Sequence, residues 1–370
     1  MPTIQMEPKN ISAISAMQAM VYHPSRNGAA KASWEAMPMP KLQSAEDAIV
    51  RMTTSTICGT DLHILKGDVP DVTDGRILGH EGVGVIEQIG PGVTQFRPGD
   101  HVIISCITAC MKCDFCRKGM PSHCRSGGWN LGHTIDGTQA EYVRIPHTDG
   151  SLHHFPEGGN EEAFAMLSDI LPTGFECGVL NGQVKPGDTI AIVGAGPIGL
   201  ASLMTAQFYS PEKIFTIDID DNRLDVAKQL GADAVINSSD GNTAARLLNM
   251  TGGDGVDLAI EAVGVPATFD ICQAILAPGG RLANIGVHGR PVTLQLEKLW
   301  DRNISLTTRL VDTVTVPMLL KAVKSGRLQP AKLVTHRFAL SDIQKAYETF
   351  ANAAHERALK VALINGSYSN

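Results

Sequence analysis

Four cysteines lie close together in the chain and have the spacing of metal ligands. They form a C-x2-C-x2-C-x7-C pattern at Cys110, Cys113, Cys116 and Cys124. Four thiolates this close can enclose a tetrahedral zinc ion and leave no coordination position open. Such a closed site does no chemistry, so we expect it to stabilise a lobe of about residues 105–130 that has no core of its own. The alternative is a loop whose four cysteines are simply kept reduced.

A second set of metal-ligand residue types is dispersed along the chain. Cys58 lies in TICGTDLH, His80 and Glu81 lie in ILGHEGVG, and Asp169 lies in MLSDILPTGF. Singly, each has an ordinary explanation as a buried thiol, a solvated turn or a helix cap. Together, a thiolate, an imidazole and a carboxylate suit a zinc ion whose fourth position stays open to water or substrate.

The stretch TIAIVGAGPIG, residues 189–199, has the pattern of a dinucleotide-binding turn. Its first five residues are mostly apolar and rich in β-branched side chains, which predicts a buried parallel strand. The next residues allow a tight turn, close approach of a pyrophosphate, and a helix packed on the strand with its N-terminus at the phosphates. They are Gly194, Gly196, Pro197, Ile198 and Gly199.

The acid expected after such a turn is Asp218, at the end of the next predicted strand, Lys213 to Ile217. Its carboxylate can accept hydrogen bonds from both ribose hydroxyls of an adenosine and would repel a 2′-phosphate. The turn therefore predicts NAD as the coenzyme rather than NADP.

The elements that must position these groups fall into two regions. Residues 17 to about 155 show short β-like runs broken by Gly and Pro, which predicts a β-rich domain. From about residue 170, strand-like and helical runs alternate, which predicts an α/β doubly wound parallel sheet. Helical runs at 316–325 and 341–354 and a strand-like run at 358–364 end the chain.

Composition excludes several classes of function. The chain has 370 residues, 43% of them hydrophobic and 19% charged, with a net charge of −7, as expected for a globular protein of two domains. No basic excess favours nucleic acid, and no apolar run approaches the ~18 residues of a membrane span. We expect residues 1–16 to be a tail rather than a signal peptide, and the setting to be cytoplasmic and reducing.

These motifs together resemble those of the zinc-dependent medium-chain alcohol dehydrogenases, over essentially the whole chain after the tail. The resemblance implies a GroES-like β-rich catalytic domain of residues 1–170 and 308–370, and a Rossmann coenzyme domain of residues 171–307. It also implies NAD and two zinc ions per chain, one catalytic and one structural. The residues that carry it are CGTDLH, GHE, the four cysteines, TGF (Thr173 to Phe175), GAGPIG and Asp218.

The resemblance assigns the catalytic zinc to Cys58, His80 and Asp169, with Glu81 as an alternative ligand. Many members have a second cysteine where Asp169 stands, and the carboxylate resembles a bacterial subgroup that includes secondary-alcohol dehydrogenases. Cys106, Cys177 and Cys272 match no ligand of the family, and we expect them to be small buried residues.

The family mechanism implies that zinc lowers the pKa of a bound alcohol so that an alkoxide forms and gives hydride to nicotinamide. Thr60 would take the alcohol proton and pass it through the nicotinamide ribose to His63 and solvent. Thr173 would support the nicotinamide ring, Arg223 would lie near the adenosine ribose, and Lys360 would reach the pyrophosphate or remain a solvated lysine.

Substrate size and assembly are implied only by the resemblance. Trp129 lies where some secondary-alcohol enzymes have a pocket tryptophan, although it could equally pack the lobe. The short stretch from Cys124 to Ala140 favours a homotetramer. The expected substrates are small primary or secondary alcohols and their aldehydes or ketones. A polyol, threonine or formaldehyde dehydrogenase and a non-catalytic nucleotide-binding protein are the alternatives.

Overall fold

The computed structural model describes residues 8–11, 14–24 and 30–366. Among these residues, no helix is both long enough and apolar enough to cross a bilayer. The strands are β1 (Ala16–His23), β2 (Lys31–Pro38), β3 (Ala48–Ile57), β4 (Arg76–Ile77), β5 (Gly82–Ile89), β6 (His101–Ile104), β7 (Tyr142–Ile145), β8 (Leu152–His154), β9 (Thr189–Val193), β10 (Lys213–Asp218), β11 (Ala234–Asn237), β12 (Val256–Glu261), β13 (Leu276–Asn284), β14 (Ser305–Thr308), β15 (Val334–Ala339) and β16 (Lys360–Ile364).

Helices connect these strands and are mostly short. They are α1 (Gly59–Lys66), α2 (Asp114–Arg117), α3 (Thr148–Ser151), α4 (Glu161–Ala165), α5 (Ile170–Thr173), α6 (Pro197–Ala206), α7 (Asp221–Gln229), α8 (Thr243–Met250), α9 (Pro266–Ile275), α10 (Leu296–Leu299), α11 (Val316–Lys324), α12 (Ile343–Ala351) and α13 (Ala353–Glu356). A π-helical segment, Gly174–Leu180, follows α5 directly.

The chain divides into two compact units. The first consists of residues 1–169 and 312–370, and the second is the continuous stretch 170–311. Ile170 and residues 308–311 were expected in the first unit but lie in the second. Ile170 begins α5, and residues 308–311 continue from β14, which pairs in parallel with β13.

The first unit is built around β3, in which all ten residues are buried. The sheet order is β15-β16-β3-β5-β6-β8, and β7 also pairs with β3. β3 is antiparallel to β5, β7 and β16, so the last strand of the chain lies beside one of the first. A smaller sheet has the order β2-β1-β4. Because β3 is buried on both faces, its sequence, AIVRMTTSTI, shows no regular alternation of apolar and polar residues.

The second unit holds a six-stranded sheet with the order β11-β10-β9-β12-β13-β14, and every neighbouring pair is parallel. Counted within the unit, this order is 3-2-1-4-5-6, which is the doubly wound arrangement of dinucleotide-binding sheets. The predicted α/β fold class is confirmed. The glycine-rich turn connects β9, at the centre of the sheet, to α6.

At two positions of this turn a side chain would collide with neighbouring atoms, so glycine is required. At the third, glycine leaves open space beside the backbone. Gly194 has a φ of +111°, and a Cβ there would lie 2.6 Å from Val263 Cγ2. A Cβ on Gly199 would lie 1.8 Å from the Gly194 carbonyl oxygen. A Cβ on Gly196 would meet nothing within 4 Å. The space at Gly196 and the uncapped N-terminus of α6 are what a bound pyrophosphate needs.

The structure departs from the sequence interpretation near the N-terminus. Residues 1–7 and 12–13 of the expected tail lie outside the described residues. Ile11 is buried and packs with Met17 and Ile49, so that part of the segment is anchored to the core. β2 was missed because its residues are mostly half-exposed and its sequence, KASWEAMP, has no clear alternation.

Candidate active site and metal centres

Cys58 is placed by the first turn of α1. It is the residue before the helix, in an extended conformation. The backbone N–H of Cys58 donates to Asp61 Oδ2 at 2.9 Å, so a side chain in the first turn caps the helix start. The C-G-T-D spacing therefore fixes the direction of the Cys58 side chain and buries Asp61 beside it.

Three further groups meet Cys58 from distant parts of the sequence. His80 and Glu81 come directly before β5, and Asp169 directly before α5. One ligand atom from each of the four residues lies within 4.8 Å of every other, and all four residues are buried. Cys58 Sγ is 3.8 Å from Asp169 Oδ2, and His80 Nε2 is 3.5 Å from the same oxygen.

These separations fit a tetrahedral metal site. With bonds of about 2.0–2.3 Å, two ligands of tetrahedral zinc are about 3.3–3.8 Å apart, and both measured separations fall in that range. Three buried groups that bear negative charge when deprotonated would be costly together without a cation. The donor set of thiolate, imidazole and carboxylate is one that zinc accepts. The residues present therefore fit a catalytic zinc.

One of the two carboxylate oxygens of Glu81 is bound by neighbouring side chains. Its Oε2 accepts short hydrogen bonds from Thr56 Oγ1 and from the Lys360 ammonium. Its Oε1 is buried and has no hydrogen-bond partner among the described residues. A buried carboxylate oxygen without a partner is costly, and a cation at this place would remove that cost. Glu81 thus keeps one oxygen available as the alternative ligand.

Lys360 does not lie where the sequence analysis expected. Its side chain is fully buried in β16, and its ammonium pairs with Glu81. The expectation that it reaches a pyrophosphate is wrong for this structure, because no part of its side chain is exposed. Burial alone would lower the pKa of Lys360, but the negative charge of Glu81 raises it above its usual value, so the ammonium stays charged.

His80 is strongly influenced by its neighbours. Burial alone would lower the pKa of the imidazole, but the contacts with Asp169 and Cys58 raise it well above its usual value. Its other nitrogen, Nδ1, is 3.9 Å from Asp61 Oδ1. That distance is too long for a hydrogen bond, so Asp61 acts on the back of the ring as a nearby negative charge.

The two relay residues lie on α1. Thr60 Oγ1 is 3.7 Å from Cys58 Sγ, which places the hydroxyl beside the ligand cluster. The His63 side chain is about one-third exposed, and its Nδ1 is 2.8 Å from Asp68 Oδ2. Asp68 was missed by the sequence analysis. Because it binds Nδ1, it leaves Nε2 as the basic nitrogen of a neutral ring.

Trp129 lies next to the ligand cluster. Its ring centre is 6.4 Å from that of His80, in an edge-to-face arrangement. On its other side it stacks on His133, with ring centres 4.4 Å apart. The half-buried indole is therefore held by a neighbour and is part of the surroundings of the metal ligands.

The four-cysteine lobe is also arranged to hold a metal. The ligand atoms of Cys110, Cys113, Cys116 and Cys124 lie within 4.8 Å of one another. Backbone N–H groups lower the pKa of Cys113 to about 6, whereas burial raises that of Cys116 to about 12. Without a metal, Cys116 would stay a neutral thiol at neutral pH, so four thiolates can exist together only if a cation balances their charge. The set fits a closed structural zinc site.

The lobe is attached to the rest of its unit by polar contacts rather than by a core. Ser122 Oγ donates to Asp312 Oδ1 at 2.6 Å, and Lys112 Nζ is 2.5 Å from Glu46 Oε1. Within the lobe, Arg125 makes two hydrogen bonds to Asp114. Exposed ion pairs such as Lys112–Glu46 contribute little each, so we expect the metal to be the main stabilising element of the lobe.

The residues that the sequence analysis assigned to the coenzyme, other than Lys360, lie in the second unit. Asp218 ends β10, and its carboxylate accepts hydrogen bonds from the backbone N–H of Ala195 at 2.7 Å and of Asp220 at 3.0 Å. Arg223 lies in the first turn of α7, and its Nε has no hydrogen-bond partner among the described residues. Thr173 ends α5 and is half-buried.

All eight cysteines are free of disulfide bonds. Cys177 and Cys272 are buried as expected. Cys106 is buried too, but its Sγ lies 3.6 Å from Asp169 Oδ1, so it contacts a metal-ligand candidate. A contact between residues 63 positions apart leaves no local sequence signal, which is why it was missed.

Two family descriptions match this chain. Residues 44–157 match the alcohol dehydrogenase GroES-like domain, and residues 197–325 match the zinc-binding dehydrogenase domain. An alcohol dehydrogenase of Cupriavidus necator is 38% identical over 88% of this chain and 93% of its own length. An NADP-dependent isopropanol dehydrogenase of Thermoanaerobacter brockii is 31% identical over 81% of this chain and 88% of its own.

Solved structures agree. The apo form of zinc dependent alcohol dehydrogenase 2 from Streptococcus pneumonia has a TM-score of 0.90 and 52% identity, and the match covers 96% of this chain and 99% of that one.

Metal content tests the two sites separately. We expect two zinc ions per wild-type chain, one in Cys58→Ser and one in Cys113→Ser, because each serine removes a thiolate from one site. Cys113→Ser should also lower the melting temperature, whereas Cys58→Ser should lose activity with little change in the lobe. Elemental analysis and thermal unfolding measure both effects. A Cys113→Ser protein with two zinc ions and an unchanged melting temperature would contradict the structural assignment.

Proposed function

Because this chain belongs to the zinc-type medium-chain alcohol dehydrogenases, we propose that it oxidises small primary or secondary alcohols reversibly with NAD, using one catalytic and one structural zinc. Family membership makes it an alcohol oxidoreductase with a nicotinamide coenzyme. The choice of NAD, the substrate range and the proton relay are the finer parts of the proposal.

The observation that carries the proposal is the buried cluster of Cys58, His80 and Asp169 with a hydroxyl beside it. A scaffold that only bound nucleotide would have no use for a buried thiolate and carboxylate in contact. When bound, zinc supplies a Lewis acid that lowers the pKa of an alcohol toward neutrality. Glu81, held by Lys360, offers one more carboxylate oxygen to the same place.

Thr60 is the residue proposed to accept the proton of the substrate hydroxyl at its Oγ1. Its hydroxyl both donates and accepts, so it can receive one proton while it gives up its own. The supporting observation is its position 3.7 Å from Cys58 Sγ, in a turn that the Asp61 cap fixes. A hydroxyl there is pre-oriented and loses little freedom when substrate binds.

His63 is proposed to carry that proton to solvent. Its side chain is partly exposed, as an exit group must be, and Asp68 fixes its ring by binding Nδ1. Nε2 is then the nitrogen that receives the proton, and Asp68 stabilises the resulting imidazolium.

Asp218 supports NAD over NADP. Two backbone N–H groups hold its carboxylate at the end of β10, and a carboxylate has lone pairs left for ribose hydroxyls. A 2′-phosphate there would meet a fixed negative charge. Arg223 lies five positions after Asp218, and its Nε has no hydrogen-bond partner in the described part of the chain. It is proposed to lie along the adenosine ribose. Thr173 is proposed to support the nicotinamide ring.

Trp129 supports a small substrate. Its indole is stacked on His133 and faces the ring of His80, so a wide, flat wall stands beside the ligand cluster. Such a wall favours short aliphatic alcohols over bulky ones, because a fixed aromatic ring does not move aside.

Self-association, as a homotetramer, is proposed from the second unit. β14 is the outer strand of its sheet, and Leu306 on it is exposed. Leu296 and Trp300, just before it, are 60% and 78% exposed. An outer strand beside exposed apolar side chains is a surface that a second copy can cover.

Coenzyme choice tests the central proposal. With a panel of short alcohols, we expect wild type to form NADH with a kcat/KM about 10- to 100-fold above that for NADPH, the range of one or two charged hydrogen bonds. Asp218→Asn should narrow that ratio, because it removes the charge but keeps the shape. Asp225→Asn, an exposed acid on α7, is the control. A wild-type preference for NADP would contradict the assignment of Asp218.

The proton relay is tested by three variants with zinc content checked in each. Thr60→Ala should lose on the order of 10²–10⁴ in kcat, the range for general acid–base groups, whereas Thr60→Ser should keep most of it. His63→Gln should lose less kcat, and mainly below pH ~7, because proton acceptors other than His63 are scarce there. Full activity of a zinc-replete Thr60→Ala enzyme would remove Thr60 from the mechanism.

Assembly is tested by analytical ultracentrifugation. We expect a tetramer in wild type and a smaller species for Leu306→Lys, because a charge on the outer strand opposes pairing. Met250→Lys, at an exposed position on α8, should leave assembly unchanged. A monomeric wild type at micromolar concentration would contradict the proposal.

A further inference from the structure

A chain of buried hydrogen bonds leads from α12 to the metal ligands. The Tyr347 hydroxyl donates to Gln139 Oε1 at 2.7 Å. Gln139 Nε2 donates to Asp61 Oδ2 at 2.9 Å, and that oxygen also accepts the backbone N–H of Cys58 at 2.9 Å. The three side chains that form the chain, Tyr347, Gln139 and Asp61, are all buried.

The orientation of the Gln139 amide is determined by its acceptors. Nε2 also donates to the Thr56 carbonyl oxygen at 3.2 Å. A carbonyl and a carboxylate only accept, so the NH2 end of the amide must face them. Its oxygen then faces Tyr347, and the tyrosine hydroxyl must be the donor. Both ends of the amide are therefore assigned without ambiguity.

This arrangement controls which oxygen of Asp61 faces His80. Oδ2 is occupied by two donors, Gln139 Nε2 and the Cys58 N–H. Oδ1 has no hydrogen bond among the described residues and lies 3.9 Å from His80 Nδ1. Without Gln139, the carboxylate would keep only one of the two donors that stop its rotation. The imidazole would then lose its fixed neighbour behind Nδ1.

The backbone has made room for this side chain. A Cβ on Gly79 would lie 2.6 Å from Gln139 Cγ and 2.8 Å from its backbone nitrogen, and Gly79 has a φ of +94°. The residue directly before His80 is thus a glycine where the Gln139 side chain passes. Gln139 therefore packs directly against the backbone that leads into His80.

We propose that Gln139 is a positioning residue for the catalytic metal, and that Tyr347 holds it in place from the C-terminal part of the chain. Gln139 fixes Asp61, and Asp61 holds the Cys58 backbone by a hydrogen bond and places a carboxylate oxygen 3.9 Å from His80 Nδ1. The inference rests on the proposed catalytic zinc at Cys58, His80 and Asp169. It assigns neither residue a contact with substrate.

Metal release tests this role with an internal reference, since the four-cysteine site lies in the same chain. Zinc-loaded protein is mixed with excess chelator, and the two release phases are assigned with Cys58→Ser and Cys113→Ser. Gln139→Met keeps the length of the side chain. In this variant the release of the catalytic zinc should be about tenfold faster, which is the lower end of the loss of metal affinity seen when a hydrogen-bond partner of a ligand is removed. The lobe phase should be unchanged. Tyr347→Phe should give a smaller increase.

Two control variants separate positioning from general destabilisation. Gln273→Met removes a buried amide of the second unit that, like Gln139, makes three hydrogen bonds, and Tyr22→Phe removes a hydroxyl from the apolar cluster that contains Tyr347. Both should leave the two release phases unchanged, whatever their effect on the melting temperature. The visible spectrum of cobalt in the catalytic site should change in Gln139→Met and not in the controls.

Three results would overturn the inference, the third together with the proposed function. If Gln139→Met and Tyr347→Phe hold two zinc ions per chain and release the catalytic zinc at the wild-type rate, the inference is wrong but the proposed function stands. Equal acceleration of both phases would also contradict the inference, because it would show general loosening. A wild type that holds zinc only in the lobe would overturn the proposed function, and this inference with it. If Gln139→Met does not fold, Tyr347→Phe decides the question.

Discussion

The burial of several carboxylates and a thiol at one place is the constraint on which the first unit depends. Cys58, Glu81, Asp169 and Asp61 lie together out of solvent, and like charges in such a place repel strongly unless cations or donors balance them. Lys360 balances part of this charge, and a metal ion at the ligand cluster would balance more. The same low polarity that makes the arrangement costly strengthens each interaction with a substrate oxygen.

The sequence predicts local features well because their signals are local. The glycine turn and the acid Asp218 belong to one short stretch, and the structure places that stretch in the parallel sheet. The closely spaced cysteines belong to another, and their sulfur atoms lie together in the lobe. The dispersed ligands Cys58, His80 and Asp169 could be grouped only through the resemblance to a family, since nothing in the spacing of three separate segments shows that they meet.

The remaining parts of the site could not be predicted for the same physical reason. Gln139 contacts Asp61 across 78 positions and Tyr347 across 208, and each residue alone looks like an ordinary polar side chain in a strand connection or a helix. Lys360 was misplaced because a lysine is usually solvated, and its burial is acceptable only because Glu81 lies opposite it. Such pairs are properties of the tertiary fold rather than of any segment.

The pairing of β16 with β3 has a consequence for the order in which the two units can fold during synthesis. The second unit is continuous, so it can fold as soon as residues 170–311 have left the ribosome. The first unit cannot complete its sheet until β16 has been made, because that strand pairs with β3 and brings the ammonium of Lys360 to Glu81. The second unit can therefore fold before the first, and the Glu81 carboxylate gains its buried cationic partner only when β16 has paired.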